Sequence, residues 1–263
     1  MPVRYEVDGR LATITLDRPE AMNALDPPML FGLAEAWDRA EEDDEVWVVL
    51  VTGAGDRAFC VGADLKSTIP VTTAGARGEV QEAERFPSMP RTLLRDRFYP
   101  KPIVAAVNGH CIAGGLEMLL ATDLRYASAS ATFALQEVRW GLFPLAGSTV
   151  QLPRQVPYCR AMEVLLLGDR IDAQTALAIG LVNEVVAPER VLDRACEIAE
   201  RLCRNGPVAV RKIKEAVVRG LRMPMTDALA NELRLGAEVF ASQDAVEGPR
   251  AFAEKREPRF TGS

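Results

Sequence analysis

Residues 101–128, KPIVAAVNGHCIAGGLEMLLATDLRYAS, carry the pattern on which the fold turns. PIVAAVNG at 102–109 is a short apolar, β-branched run closed by a glycine, as in a strand buried on both faces. Gly114-Gly115 then lead into LEMLLAT, an apolar helical run, and DLRYAS at 123–128 is a weaker strand. Strand, glycine turn, helix and strand in succession make an α/β unit.

The neighbouring segments repeat that alternation. VWVVLVTG at 46–53 predicts another doubly buried strand, and VNEVV at 182–186 a further one. The chain opens on two β-leaning runs, 3–7 and 11–17, joined by Asp8-Gly9, a dipeptide suited to a tight hairpin. Between Pro27 and Asp44, Leu30, Leu33, Ala34 and Trp37 share one helical face, and EEDDE at 41–45 reads as its solvated end. Residues 66–99 show no firm period and read as a variable helix and loop able to cover a site. Beyond Pro188 the pattern turns helical. Leu192, Ala195, Ala199 and Leu202 form one stripe, with Cys196 and Cys203 as small hydrophobes beside it, and Gly206-Pro207 stops one helix and starts the next. Further helices are predicted over 208–219, 225–241 and 243–256.

The composition narrows the chemistry. With 263 residues, 48% of them hydrophobic, the chain suffices for one large core. A net charge of −6 gives no broad cationic surface, so nucleic acid is not an expected partner. His110 is the single histidine, which excludes a multi-imidazole metal site within one subunit and leaves proton transfer to carboxylates. Five cysteines without a C-x-x-C pair fit a reducing cytoplasm. The first residues lack a signal-peptide core, and no apolar run reaches membrane-spanning length, so a soluble, cytoplasmic protein is expected.

Two glycine-containing segments follow predicted strands, TGAGDRAFCVGADL at 52–65 and NGHCIAGGLEMLLATD at 108–123. Neither has the Gly-Lys-Ser/Thr of a phosphate loop or a dinucleotide fingerprint in its required context. In the second, the N–H groups of Gly114-Gly115 stand at a helix start, where an oxyanion is stabilised, and Glu117 falls on the same face as Gly114. Close packing of the glycines, with Glu117 as an ordinary N-terminal helix acid, explains the same residues.

RPEAMNAL at 18–25, GAGDRAFCVGADL at 53–65, NGHCIAGGLE at 108–117, ALQEVRWGLFP at 134–144, GLVNEVV at 180–186 and AFAEKREPRF at 251–260 together resemble the enoyl-CoA hydratase/isomerase, or crotonase, family. The resemblance implies an α/β fold, a spiral core of repeated ββα turns with the CoA and catalytic site over residues 1–190, and a helical oligomerisation region over 191–263. It implies that backbone N–H groups of Ala63 and Gly114 bind a thioester oxygen and that Glu117 and Glu137 manage water and proton. Around CoA it points to Met22, Ala24, Val61, Asp64 and Leu65, with Phe252 and Lys255 reaching the CoA of a neighbouring subunit in a homotrimer or pair of trimers. Coenzyme A is then part of the substrate and neither a further cofactor nor a metal is implied. The implied activity is reversible hydration of a 2-enoyl-CoA; isomerisation of an enoyl-CoA, dehydration of a hydroxyacyl-CoA such as carnitinyl-CoA, and a non-catalytic acyl-CoA-binding scaffold remain alternatives. The sequence departs from the family pattern at Ala113, where a first glycine of three is usual, and at Pro144-Leu145-Ala146-Gly147-Ser148, where Leu145 adds bulk beside the expected acyl position. His110 is expected to pack rather than to catalyse.

Overall fold

A computed structural model describes residues 2–79 and 89–263. Strands β1 (Val3–Asp8) and β2 (Leu11–Leu16) pair antiparallel with Asp8 opposite Leu11, so the hairpin turns on Gly9-Arg10 and not on Asp8-Gly9. Only Gly9 takes a positive φ, +55°, which puts the glycine at the first turn position and leaves Asp8 in the strand. Helix α1 (Pro27–Glu42) starts where the Asp26 carboxylate accepts the Met29 N–H at 2.9 Å. It buries Met29, Leu30, Leu33, Ala36, Trp37 and Ala40 in the main core.

Next come β3 (Val48–Gly53), wholly buried as its sequence predicts, the short β4 (Ala58–Cys60), α2 (Thr68–Ala76) and α3 (Met89–Thr92). The helix-and-loop expected over 66–99 includes both helices, and its residues 80–88 lie outside the described ones. The pattern repeats as β5 (Ile103–Val107), β6 (His110–Ile112) and α4 (Gly114–Leu119), and again as β7 (Leu124–Ser128), β8 (Thr132–Ala134), a 3-10 turn at Glu137–Trp140, α5 (Ser148–Gln155) and α6 (Tyr158–Leu167). Then follow β9 (Ile171–Asp172), α7 (Ala173–Ala178) and β10 (Glu184–Val186).

Strands β3, β5 and β7 join a six-stranded sheet of order β1-β2-β3-β5-β7-β10, while the strand after each joins a four-stranded sheet of order β4-β6-β8-β9. Each turn of chain thus gives one strand to each sheet and then a helix, which is the ββα spiral. Helix α8 (Val191–Cys203) lies on the large sheet, packing Val191, Ala195, Ile198 and Ala199 with Val48, Leu50, Val104 and Ala106. That face differs from the predicted stripe: Leu192 points outward, because the helix is rotated so that Val191 and Ile198 meet the sheet. Cys196 and Cys203 are half-buried beside the contact. The chain ends in α9 (Pro207–Gly220), α10 (Met225–Phe240) and α11 (Gln243–Ala253), with Phe260 packed back against the α8 layer. No helix of the described residues is long and apolar enough to cross a membrane.

Candidate active site

The spiral brings β4 beside β6, with Ala58 opposite His110 and Cys60 opposite Cys111. The turn leaving β4 and the helix leaving β6 are therefore neighbours. Gly115 has no room for a side chain, since a Cβ there would stand 2.2 Å from the Cys60 carbonyl oxygen. After β4 the chain turns at Gly62, φ +84°, where a Cβ would lie 2.7 Å from the Gly114 nitrogen. The Val61–Leu65 turn and the start of α4 are thereby pressed together.

Both expected donors stand at that contact. Leu25 N–H donates to the Gly62 carbonyl at 2.8 Å and Asp64 N–H to the Leu25 carbonyl at 3.1 Å, a parallel bridge that spans Ala63 and leaves its own N–H out. Among the described residues neither the Ala63 nor the Gly114 amide donates to a protein acceptor. Ala113, just before Gly114, holds φ +52° and ψ −124°, a strained conformation for a residue with a Cβ. Hydrogen bonds keep it there: its N–H donates to Ala134 at 2.8 Å and its carbonyl accepts from Glu117 N–H at 2.9 Å.

Glu117 lies one turn into α4 and is buried. Its Oε1 accepts the Ala146 N–H at 2.8 Å, the Ser148 N–H at 3.4 Å and the Ser148 hydroxyl at 3.1 Å. Burial raises its pKa above the ordinary carboxylate value, and these bonds hold the rise in check. Glu137 opens the 3-10 turn after β8, and its Oε2 is buried without a hydrogen-bond partner. Burial first, and then the nearby charge of Glu117, push its pKa up to about 7. One carboxyl is held by three donors and the other is free to carry a proton near neutrality.

The expected CoA loop has a firm anchor. Asn23 is fully buried at φ +56°, its amide donating to the Ala58 carbonyl at 2.8 Å and to the Ala54 carbonyl at 3.1 Å. Met22 before it is partly exposed and Ala24 after it is buried. Arg18 pairs with Asp64 at 2.8 Å, tying this loop to the Val61–Leu65 turn and holding the Asp64 carboxyl below its usual pKa. Val61 is half-buried and Leu65 exposed on that turn. Phe252, 86% exposed, stands on α11, and Lys255 just beyond it is exposed too; α11 packs on α10 rather than around the two donors. His110 is occupied by Thr132, Nδ1 to Oγ1 2.8 Å, and burial lowers its pKa.

The sequence reading missed Asn23, Ala146 and Ser148. It also missed Leu93, whose Cδ1 comes within 3.5 Å of where a Cβ on Gly114 would stand. Two amides without a protein acceptor on neighbouring turns, with the Glu117 carboxyl one turn further along α4 and Glu137 close enough to feel its charge, are the kinds of group that stabilise an oxyanion and move a proton at an adjacent carbon.

The family model described as enoyl-CoA hydratase/isomerase matches residues 6–263. The chain belongs to the enoyl-CoA hydratase/isomerase family. It is 41% identical over 252 residues to enoyl-CoA hydratase EchA19 of Mycobacterium tuberculosis, covering 96% of this chain and 93% of that protein. It is 39% identical over 263 residues to the (E)-benzylidenesuccinyl-CoA hydratase of Thauera aromatica, covering 100% of both. An enoyl-CoA hydratase structure from Bacillus anthracis superposes with a TM-score of 0.92 at 35% identity, covering 100% of both chains. The protein is thus an enzyme of the crotonase family, and its ββα spiral is that family's fold.

Proposed function

We propose that this crotonase-family enzyme is a 2-enoyl-CoA hydratase, adding water reversibly across the double bond next to the thioester. The observation that carries the reading is the pairing of Glu117, clamped by three donors, with Glu137, whose buried Oε2 has no partner and whose pKa is about 7. Near neutral pH the pair then holds one proton, with Glu117 as base and Glu137 as acid.

Each step follows from that assignment. The Glu117 carboxylate takes a proton from water as its oxygen bonds to C3. The π electrons move through C2 onto the thioester oxygen, and the N–H groups of Ala63 and Gly114 hold the resulting enolate oxyanion. The enolate collapses as Glu137 gives its proton to C2. Water has been added, and exchange of protons between the carboxyls and solvent resets the pair. Run backwards, the same groups dehydrate a 3-hydroxyacyl-CoA. Isomerisation needs only one carboxyl to carry a proton between carbons, so the presence of two favours hydration over it, and over a non-catalytic scaffold.

In this reading coenzyme A arrives as part of the substrate, on the Met22–Ala24 loop and the Val61, Asp64 and Leu65 turn, and no separate cofactor takes part. Phe252 and Lys255 contact CoA of a neighbouring subunit in a trimer or pair of trimers, which their exposure on and just past α11 supports. Five free cysteines support a reducing, cytoplasmic setting. The test is loss of enoyl-thioester absorbance with crotonyl-CoA and longer enoyl-CoAs. Hydration of at least one is expected; a purified protein that binds these thioesters and hydrates none of them overturns the reading.

A further inference from the structure

The segment after α3 enters the site twice. Leu94 holds φ +60°, a left-handed conformation that a leucine takes only when its surroundings impose it, and so turns its two neighbours to different jobs. Leu93, fully buried, packs beside Gly114, its Cδ1 3.5 Å from where a Cβ there would stand. Arg95 lays its stem over Gly147: Cγ, Cδ and Cβ stand 3.3, 3.8 and 3.9 Å from the point a Cβ there would occupy. Gly147 sits between Ala146 and Ser148, the residues whose N–H groups clamp Glu117. The stem therefore packs against the segment that clamps Glu117, and the guanidinium is near enough for its charge to act on that carboxyl.

Among the described residues that charge is poorly satisfied. Its ion pairing among them is a loose 3.5 Å contact with the adjacent Asp96, and its side chain stays 45% exposed. Arg18 and Arg194, by contrast, are each drawn into more than one carboxylate. A packed stem with an open guanidinium beside the Glu117 clamp is ill suited to a plain hydrocarbon chain laid along it, which would desolvate the cation without pairing it. It suits a planar anion, which Arg binds through two parallel hydrogen bonds.

We propose that the acyl group this enzyme takes carries a carboxylate beyond the reacting double bond, and that Arg95 binds it. The inference rests on the hydratase reading in that the acyl chain must occupy this site. Two thioesters of equal length separate the cases: hex-2-enoyl-CoA and hex-2-enedioyl-CoA, which differ by a terminal carboxylate. The wild-type enzyme is expected to favour the diacid thioester at least tenfold in kcat/KM. Arg95→Gln should collapse that ratio toward one, chiefly through KM, and Arg95→Lys should restore part of it. Equal treatment of both thioesters by the wild type, or a ratio unchanged in Arg95→Gln, overturns the proposal. If neither is hydrated, the hydratase reading fails on its own and calorimetric Kd values decide this one: a preference for the diacid that Arg95→Gln abolishes supports it, and equal Kd values overturn it. Loss of affinity for free CoA as large as that for the diacid thioester would assign the guanidinium to the CoA phosphates and also overturn it.

Discussion

Glu137 is expected to set the pH dependence. Its buried, partnerless Oε2 and its pKa of about 7 suit it to the role of proton donor in the proposed hydration. kcat/KM for hydration should accordingly fall as pH rises through about 7, while loss of the Glu117 carboxylate forms the acid limb. Glu137→Gln should remove the alkaline limb and lower kcat by roughly 10²–10⁴, the usual share of general acid catalysis, with CoA affinity retained. Glu117→Gln should lose a similar factor. A wild-type profile flat across neutrality, or unchanged turnover in either variant, would take that glutamate out of the mechanism. The same residue carries a stability cost. Unfolded, it ionises near 4.5 and folded near 7, so between those values the folded state holds an extra proton and stability falls as pH rises. Glu137→Gln should therefore raise Tm more at alkaline than at acid pH. The gain is at most about 3.5 kcal/mol, less with solvent screening, because each of the roughly 2.5 pKa units is worth about 1.4 kcal/mol. A variant less stable than the wild type at alkaline pH would contradict this.

At the scale of elements, the site depends on how closely the turn after β4 and the start of α4 approach. Gly62→Ala would set a Cβ 2.7 Å from the Gly114 nitrogen in a backbone at φ +84°. It should cost about 1–3 kcal/mol of stability and, by displacing a donor, about 10²–10³ in kcat. Ala113→Gly acts oppositely: it relieves a strained alanine at φ +52°, worth more than the added freedom of the unfolded chain, and should leave Tm unchanged or higher. Thermal melts beside kcat check both, and a clear fall in Tm for Ala113→Gly would deny that the strain exists. These elements also explain what could be read in advance. β3, β5 and β7 were legible because burial leaves continuous apolar runs, most completely in β3 and β5, and the last three helices because each is long enough to show its period. β4, β6, β8 and β9 have two or three residues each, too few to show any period, and α5–α7 fell between the recognised segments. Gly114 and Glu117 were visible as a local pattern. Glu137, on the next turn of the spiral, was reachable only through family resemblance, and nothing in the aperiodic stretch around Arg95 marked it.

At the scale of the whole molecule, the last three helices leave large apolar side chains in water. Ile213 and Val217 on α9, Leu229, Leu233 and Phe240 on α10, and Val246 and Phe252 on α11 are all exposed, with Leu233 at 75% and Phe240 at 84%. Single exposed leucines are ordinary, but so many on consecutive helices support the proposed subunit contact, where each side chain would be worth roughly 1.5–3 kcal/mol when covered. The proposed trimer or pair of trimers predicts a sedimentation mass three or six times the 28.7 kDa of the chain. A wild-type monomer would sink that proposal. A Leu233→Asp, Phe240→Asp double variant should shift the mass toward the monomer, since two carboxylates would have to be desolvated in the interface. The catalytic effect separates two kinds of dependence on neighbours. Ala63, Gly114, Glu117 and Glu137, the residues proposed for the chemical step, all come from one chain, so in this reading that step needs no second subunit. Phe252 and Lys255 are proposed to touch a neighbour's CoA. Dissociation should therefore raise KM several-fold while kcat falls much less, and an unaltered KM in the monomer would remove those two residues from CoA binding.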